Sequence, residues 1–261
     1  MDQLVLRNDT GHVARLTLNS PKNFNALSVE MIAALSDHLT AIADDDSIRA
    51  VILSGTGKAF CAGHDLRQMQ SARDLPDGGG AAYQSLFDDC ARMMQMIPAL
   101  PQPVIAQVHG IATAAGCQLV ASCDLAIAAE GTRFGVNGVN IGLFCSTPMV
   151  ALSRVIPPKA AFEMLTTGNF IDAVRARELG LINQIAPGDE LADQALSMAQ
   201  TIAAKLPAAV RMGKRAFHDQ MGLGLADAYG RAGGTMCENM MLPETDEGIT
   251  AFLEKRPPNW S

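Results

Sequence analysis

The chain has 261 residues, 48% hydrophobic and 18% charged, which suits one large domain or one domain with a small appendage. With 20 Lys and Arg against 27 Asp and Glu, the net charge of −7 excludes a general nucleic-acid binder, which needs a positive field, but leaves room for a local phosphate pocket. No apolar run reaches the roughly 18 residues that would cross a membrane.

The opening residues, Met1 to Asn8, are short, mixed and charged, unlike a signal peptide. Six cysteines occur without a C-x-x-C pair, so zinc ribbons and thioredoxin-like motifs are not indicated. Reduced, packed thiols, no metal and a cytoplasmic location are the expectations. The 14 methionines read as adaptable core filler, some of it suited to a flexible apolar pocket.

In chain order, "HVARLTLN" (12–19) alternates as a strand does, and "PKNFNAL" breaks the pattern. Ser28 is placed to cap a helix running to about Ala43, with Ile32, Leu35, Leu39 and Ile42 on one face. "RAVILSG" (49–55) predicts a fully buried strand, turned by Gly55 and Gly57 into "KAFCAGHDL". Asp77 to Gly80 ("DGGG") predicts a mobile loop, and a helix follows over about 82–97, ended by Pro98. "PVIAQVHG" is another buried strand, "AAGCQLVAS" a short helix and "CDLAIAA" a third strand. A loop-rich stretch (131–145) precedes helices over 147–155 and 159–166. A further helix starts near Asp172, and "LINQIA" gives a short strand. From Asp189 nearly everything reads helical until "RPPNW". Strands separated by helices, then a helical tail, give an α/β core with a C-terminal appendage.

Two segments share one design. "VILSGTGKAFCAGHDL" and "VIAQVHGIATAAGCQL" each leave a buried strand, pass through small residues and enter a helix. Helix N-termini carry unpaired N–H groups, and small side chains let a ligand reach them. Two such ends facing one another would donate to one developing oxyanion. Tight packing at strand–helix turns explains the same pattern. Other nucleotide or hydrolase motifs fail. Phe60 stands where a dinucleotide fingerprint needs its third glycine, no Walker A loop surrounds Gly57-Lys58, and no G-x-S-x-G elbow occurs.

The stretches "PKNFNAL", "DDDSIRAVILSGTGKAFCAGHDL", "HGIATAAGCQLVASCDLAIAAE" and "EGITAFLEKRPPNW" resemble, over essentially the whole chain, the crotonase (enoyl-CoA hydratase/isomerase) superfamily. The subgroup it looks most like is enoyl-CoA hydratase domain-containing protein 3. The resemblance implies an α/β fold, a crotonase-like ββα spiral core with a C-terminal helical trimerisation region. Residues 1–195 would form the core with its CoA site, and 196–261 the oligomerisation region of a homotrimer or dimer of trimers. It implies an acyl-CoA substrate, with CoA as part of that substrate and no bound cofactor. The thioester oxygen would lie between the N–H groups of His64 and Ala115, the usual glycine run reading Ala114-Ala115-Gly116 here.

The resemblance also carries Lys22, Ala26, Leu27, Ala62, Gly63, Asp65 and Leu66 as walls of the CoA site, and Lys255 as a phosphate contact or a solvated side chain. Asp65 is expected to order its loop, and Asp124 to be structural. The departures matter more. The two glutamates that handle protons in hydratases are Gln118 and Gly138 here, and the acid of isomerase-like members falls on Ser146, beside Cys145. Gln118 can bond a water but does not titrate near neutrality. Ordinary hydration is therefore expected to be weak. An isomerase, a thioesterase, a decarboxylase or a non-catalytic acyl-CoA binding protein stays open, with His64 a candidate for the missing chemistry.

Overall fold

A computed structural model describes residues 3–260. The strands are β1 (Val5–Thr10), β2 (Val13–Leu18), β3 (Ala50–Gly55), β4 (Val104–Val108), β5 (Ile111–Thr113), β6 (Leu125–Ala129), β7 (Arg133–Gly135), β8 (Ile171–Asp172) and β9 (Gln184–Ala186). The helices are α1 (Val29–Ala43), α2 (Leu66–Ser71), α3 (Gly80–Ala99), α4 (Ala115–Ser122), α5 (Ser146–Val155), α6 (Pro158–Thr167), α7 (Ala173–Leu179), α8 (Leu191–Ala203), α9 (Pro207–Gln220), α10 (Leu225–Met240) and α11 (Pro243–Leu253).

One sheet runs β1-β2-β3-β4-β6-β9, parallel except for the β1–β2 hairpin, and a second runs β5-β7-β8. Successive turns of the chain feed both sheets: β4 passes into β5, β6 into β7, and a helix follows. This is the ββα spiral that the resemblance implied. β3 is buried along its whole length but for Gly55, as expected of a parallel strand covered on both faces. On one side α1, α3 and α4 contribute to the larger core cluster, with Leu35, Met93 and Leu119 fully enclosed. On the other side α8 lays Leu191, Ala195, Ala199 and Ala203, spaced four apart, against Val13, Ile52, Ile105 and Ile127. The small stripe lets the helix approach the sheet closely. Because α8 packs this way and spans 191–203, it runs through the 195/196 division.

Several elements differ from the expectation. β1 went unread because only Val5 is buried in it, leaving no apolar alternation to see. β5, β7 and β8 are two or three residues long and exist through their partners. Asp77 to Gly80 is a built turn: the Asp77 carboxylate accepts from the N–H groups of Gly79 (3.0 Å) and Ala81 (2.8 Å), and Gly80 already belongs to α3. Pro98 lies inside the last turn of α3 instead of ending it before the turn closes. Ser28 caps α1 as expected, accepting from Met31 N–H.

Candidate active site

The two small-residue turns meet. Cys61 forms a parallel bridge with Ala112, through Cys61 N–H to Ile111 O (3.2 Å) and Thr113 N–H to Cys61 O (3.0 Å). This lays the turn after β3 along β5, directly before α4. Gly63 then adopts φ +91°, and a β-carbon on it would stand 2.9 Å from Ala114 Cβ and 3.3 Å from Ala115 N. Only glycine lets the backbone pass here. Gly116 is required in the same way, since a side chain there would run into the Cys61 peptide.

A second parallel bridge joins His64 to Leu27, using Leu27 N–H to Gly63 O (2.7 Å) and Asp65 N–H to Leu27 O (3.4 Å). That pattern engages the residues on either side of 64 and turns the N–H of His64 itself the other way. Ala115 is the first residue of α4, where N–H groups lack intrahelical acceptors. Among the described residues neither the His64 nor the Ala115 N–H has an acceptor. Two free donors thus belong to peptides packed against each other.

The His64 ring is fixed on two sides. Nδ1 is 3.4 Å from the Leu27 carbonyl, and the ring meets Phe87 edge-on at 5.5 Å. A carbonyl only accepts, so Nδ1 carries the proton and Nε2 is an acceptor. Nε2 is buried and has no protein partner among the described residues. Burial lowers the imidazole's pKa below the ordinary value, the Leu27 carbonyl partly opposing.

Gln118 is 5% exposed, one turn along α4 from Ala115 and on the same face, with its Oε1 buried and unpartnered. Gly138 is buried in a 3-10 turn (Asn137–Ile141). A β-carbon there would strike the Leu143 carbonyl oxygen and stand 2.9 Å from Cys145 Sγ. Residue 138 is therefore more than a glutamate exchanged for glycine, because the following loop closes over it. Ser146 is exposed, its hydroxyl turned to Phe144 O (3.4 Å), while Cys145 is buried beside Gly138. Burial raises the Cys145 pKa and pushes that of Cys117 up to about 12, so neither thiol ionises near neutrality.

Of the remaining sequence candidates, Ala26 and Leu27 are buried, and Ala62 donates to Phe24 O (3.0 Å) beside them. Asp65 orders the loop: Oδ1 caps α2 at Arg67 and Gln68 N–H, and Oδ2 accepts from Asn23 (2.6 Å). Lys22 and Leu66 are exposed. Lys255 is exposed at the end of α11, with φ +57°, and no hydrogen bond ties it to these loops among the described residues. His109 donates from Nε2 to Gly57 O (3.0 Å), a structural contact.

Sequence reasoning passed over Asn25. It is wholly buried at φ +54°, donating to Thr56 O (2.8 Å) and Ala59 O (2.8 Å) while accepting from Ser20 N–H (2.8 Å). It clamps the Lys22–Leu27 segment to the turn after β3. Its only signal was an asparagine inside a pattern break, where left-handed backbone is tolerated.

The enoyl-CoA hydratase/isomerase family profile matches residues 8–261. The chain belongs to the enoyl-CoA hydratase/isomerase family. It is 42% identical over 260 residues to "Enoyl-CoA hydratase domain-containing protein 3, mitochondrial" of Danio rerio, covering 99% of this chain and 88% of that one. A solved enoyl-CoA hydratase of Mycobacterium smegmatis superposes with TM-score 0.94 at 53% identity, covering 98% of each chain. Human enoyl-CoA hydratase domain-containing protein 3 does so with TM-score 0.93 at 40% identity, covering 98% of this chain and all of that one. Within the crotonase superfamily this hydratase/isomerase-family chain groups with that subgroup. The expected cytoplasmic location is overturned: the fish relative and its human counterpart both carry mitochondrial names. The expectation rested on reduced thiols and an uninformative opening segment, neither of which separates one reducing compartment from another.

Proposed function

We propose that this hydratase/isomerase-family chain is an enzyme that binds an acyl-CoA thioester and stabilises its enolate between the N–H groups of His64 and Ala115. The observation supporting this reading is the close approach of Gly63 to Ala114 and Ala115, because Ala115 and the residue after Gly63 both carry N–H groups without an acceptor among the described residues. Preorganised donors of this kind cost no reorganisation as charge develops. Ala26, Leu27, Ala62, Gly63, Asp65 and Leu66 would line the CoA, Leu27 being bonded to Gly63 and Asp65, with Lys22 and Lys255 as exposed cations for its phosphates. CoA enters as part of the substrate, and forming the enolate takes no other cofactor.

Gln118 and Gly138 leave no carboxylate where the family's hydratases keep two. Hydration is accordingly expected to be slow, with isomerisation or another enolate step as the main reaction. A non-catalytic acyl-CoA binding protein is the second reading, favoured by the same two residues. The test is 2,4-hexadienoyl-CoA, whose conjugated carbonyl absorbs further to the red when polarised by donors. A red shift on binding is expected. Binding without a shift would remove the two-donor site, and turnover across an enoyl-CoA panel then separates enzyme from binder.

The C-terminal helices support self-association as a trimer or dimer of trimers. α10 buries no residue and presents Leu225, Tyr229, Met236 and Met240, each more than half exposed, along one stripe. Light scattering on the purified protein checks this. A monomer at micromolar concentration would count against it.

A further inference from the structure

We infer that the His64 imidazole, through Nε2, is the group that takes and returns the proton at the thioester α-carbon. The inference rests on the acyl-CoA reading above and adds the proton carrier that the replaced glutamates leave unassigned.

Residue 64 contributes twice to the same wall. Its peptide supplies one of the two paired donors, and its ring stands on that peptide with Nδ1 held by the Leu27 carbonyl and Phe87 in T-shaped contact. These contacts fix the tautomer and the ring plane, leaving Nε2 as a buried acceptor with no protein donor. The other groups near the paired N–H donors do not serve as bases. Gln118 does not titrate. The Cys117 and Cys145 thiols are held protonated by burial, and the Ser146 hydroxyl is exposed and turned to Phe144. The charged groups on the elements packed around the ring are engaged elsewhere. Asp65 binds Asn23 and caps α2, Glu30 faces Gln68, Asp88 binds Gln84 and Asp89 binds Arg92. The ring's proton affinity is set by burial first and by the Leu27 carbonyl second, with no neighbouring charge contributing. A neutral imidazole is therefore available at physiological pH.

The step balances without any further reactant. The Cα–H bond breaks and its proton passes to Nε2. The electron pair moves into the bond between the α-carbon and the carbonyl carbon, and negative charge collects on the thioester oxygen, facing the N–H groups of His64 and Ala115. The imidazolium so formed then neutralises the enolate across the pocket and returns a proton to carbon. Returned at the far end of a conjugated enolate, the same proton shifts a double bond; returned at the α-carbon, it is replaced by deuterium only after the imidazolium has traded its Nε2 proton with solvent, so α-hydrogen exchange takes solvent as the second partner.

Butyryl-CoA in D2O isolates this step, because a saturated chain cannot be hydrated. Proton NMR should show the wild-type protein exchanging the α-hydrogens, with a rate that rises with pH and levels off above the imidazole's lowered pKa. His64→Gln keeps the backbone N–H and removes the titrating ring. It should lose about 10²–10⁴-fold in exchange rate together with the pH dependence, yet keep the hexadienoyl-CoA red shift. His64→Asn, whose amide can still donate to Leu27, is the second variant should glutamine disturb the loop. Exchange that persists in both variants with the wild-type pH profile overturns the inference. So does a wild-type protein that red-shifts hexadienoyl-CoA but exchanges nothing, and in that case the acyl-CoA reading survives. A wild-type protein that binds no acyl-CoA defeats both.

Discussion

Gly63 and Ala115 are packed so that a β-carbon on residue 63 would stand 3.3 Å from the Ala115 nitrogen, with Thr113 O at 3.1 Å and Ala114 Cβ at 2.9 Å. Gly63 also sits at φ +91°. Gly63→Ala meets both obstacles at once, strained backbone and crowded space. Left-handed strain alone costs about 1–3 kcal/mol, and relief of the clash must part the two turns. The expected result is a destabilised protein whose hexadienoyl-CoA red shift is lost. An unchanged melting temperature with an unchanged shift would show that the two peptides are not in contact.

Ala114 carries the opposite imbalance. It sits at φ +50°, ψ −121°, a region that suits glycine and strains any residue with a β-carbon. Ala114→Gly removes strain of about 1–3 kcal/mol but adds about 0.4–1 kcal/mol of chain entropy to the unfolded state. Strain relief is the larger effect. Thermal unfolding should therefore shift upward, by about 2–4 °C for each kcal/mol gained at this chain length. A lower melting temperature would mean that the methyl group packs better than its backbone suffers.

Gln118 and Gly138 respond differently to restored carboxylates. Gln118 already buries a side chain of glutamate's size one turn from Ala115, its Oε1 without a partner among the described residues. Gln118→Glu is therefore expected to fold and to raise crotonyl-CoA hydration by at least tenfold, part of the 10²–10⁴ that one acid–base group contributes. Gly138→Glu must displace the Leu143 carbonyl and Cys145, and the outcome expected in a melting experiment is a loss of more than about 2 kcal/mol. If Gly138→Glu melts like the wild type, the loop over 138–145 is more accommodating than its packing indicates.

Asp124 and Lys214 show where sequence reasoning reached its limit. The buried strands, the α1 face and the two small-residue turns were legible because apolar runs and glycine–alanine clusters are local signals. Lys214 lies on α9, read from the sequence only as part of a helical tail, yet its Nζ is buried and donates to Asp124 Oδ2 (2.6 Å), Ile97 O (2.8 Å) and Gln102 O (2.9 Å). His218 reaches the other Asp124 oxygen at 3.0 Å. A lysine on an amphipathic helix normally marks solvent, and only the docked fold reveals that its partners lie 90 to 117 residues away. Asn25 escaped for the same reason, as three of its acceptors sit beyond β3. Gly138 was read as a replaced glutamate because family comparison names positions, not the carbonyl packed above them.

That ion pair yields a fourth prediction. Lys214→Met fills similar volume but leaves Asp124 in its pocket with only Val104 N–H and His218 for company. Breaking a buried pair by removing one partner costs about 3–5 kcal/mol, and the exposed edge near His218 should place this case toward the lower end. Denaturant unfolding should show that loss. Lys214→Met combined with Asp124→Asn should recover part of it, since the stranded charge is gone. If the single variant costs under about 1 kcal/mol, α9 is held by packing and the ion pair is incidental.

The C-terminal tail supplies a pH test with its own reporter. Glu247 on α11 accepts from Arg256 through both oxygens (2.7 and 2.8 Å) and from Asn259 N–H (2.8 Å), while Trp260 packs against Gly248 in a hollow bordered by Leu206, Ile249 and Phe252. The Arg256 guanidinium and, secondarily, the Asn259 N–H hold the Glu247 pKa down, from 4.5 to about 2. A depressed carboxylate pKa stabilises the docked tail fully above the ordinary value, and that contribution fades as pH falls from 4.5 toward 2. Trp260 is the chain's sole tryptophan, so its emission reads the docking directly. Emission should move to the red across that interval, ahead of any loss of helical circular dichroism. In Glu247→Gln, which cannot titrate, the step should vanish and the neutral-pH emission should already lie to the red. A wild-type transition that coincides with global unfolding, or one that survives in Glu247→Gln, would show that Glu247 does not hold the tail.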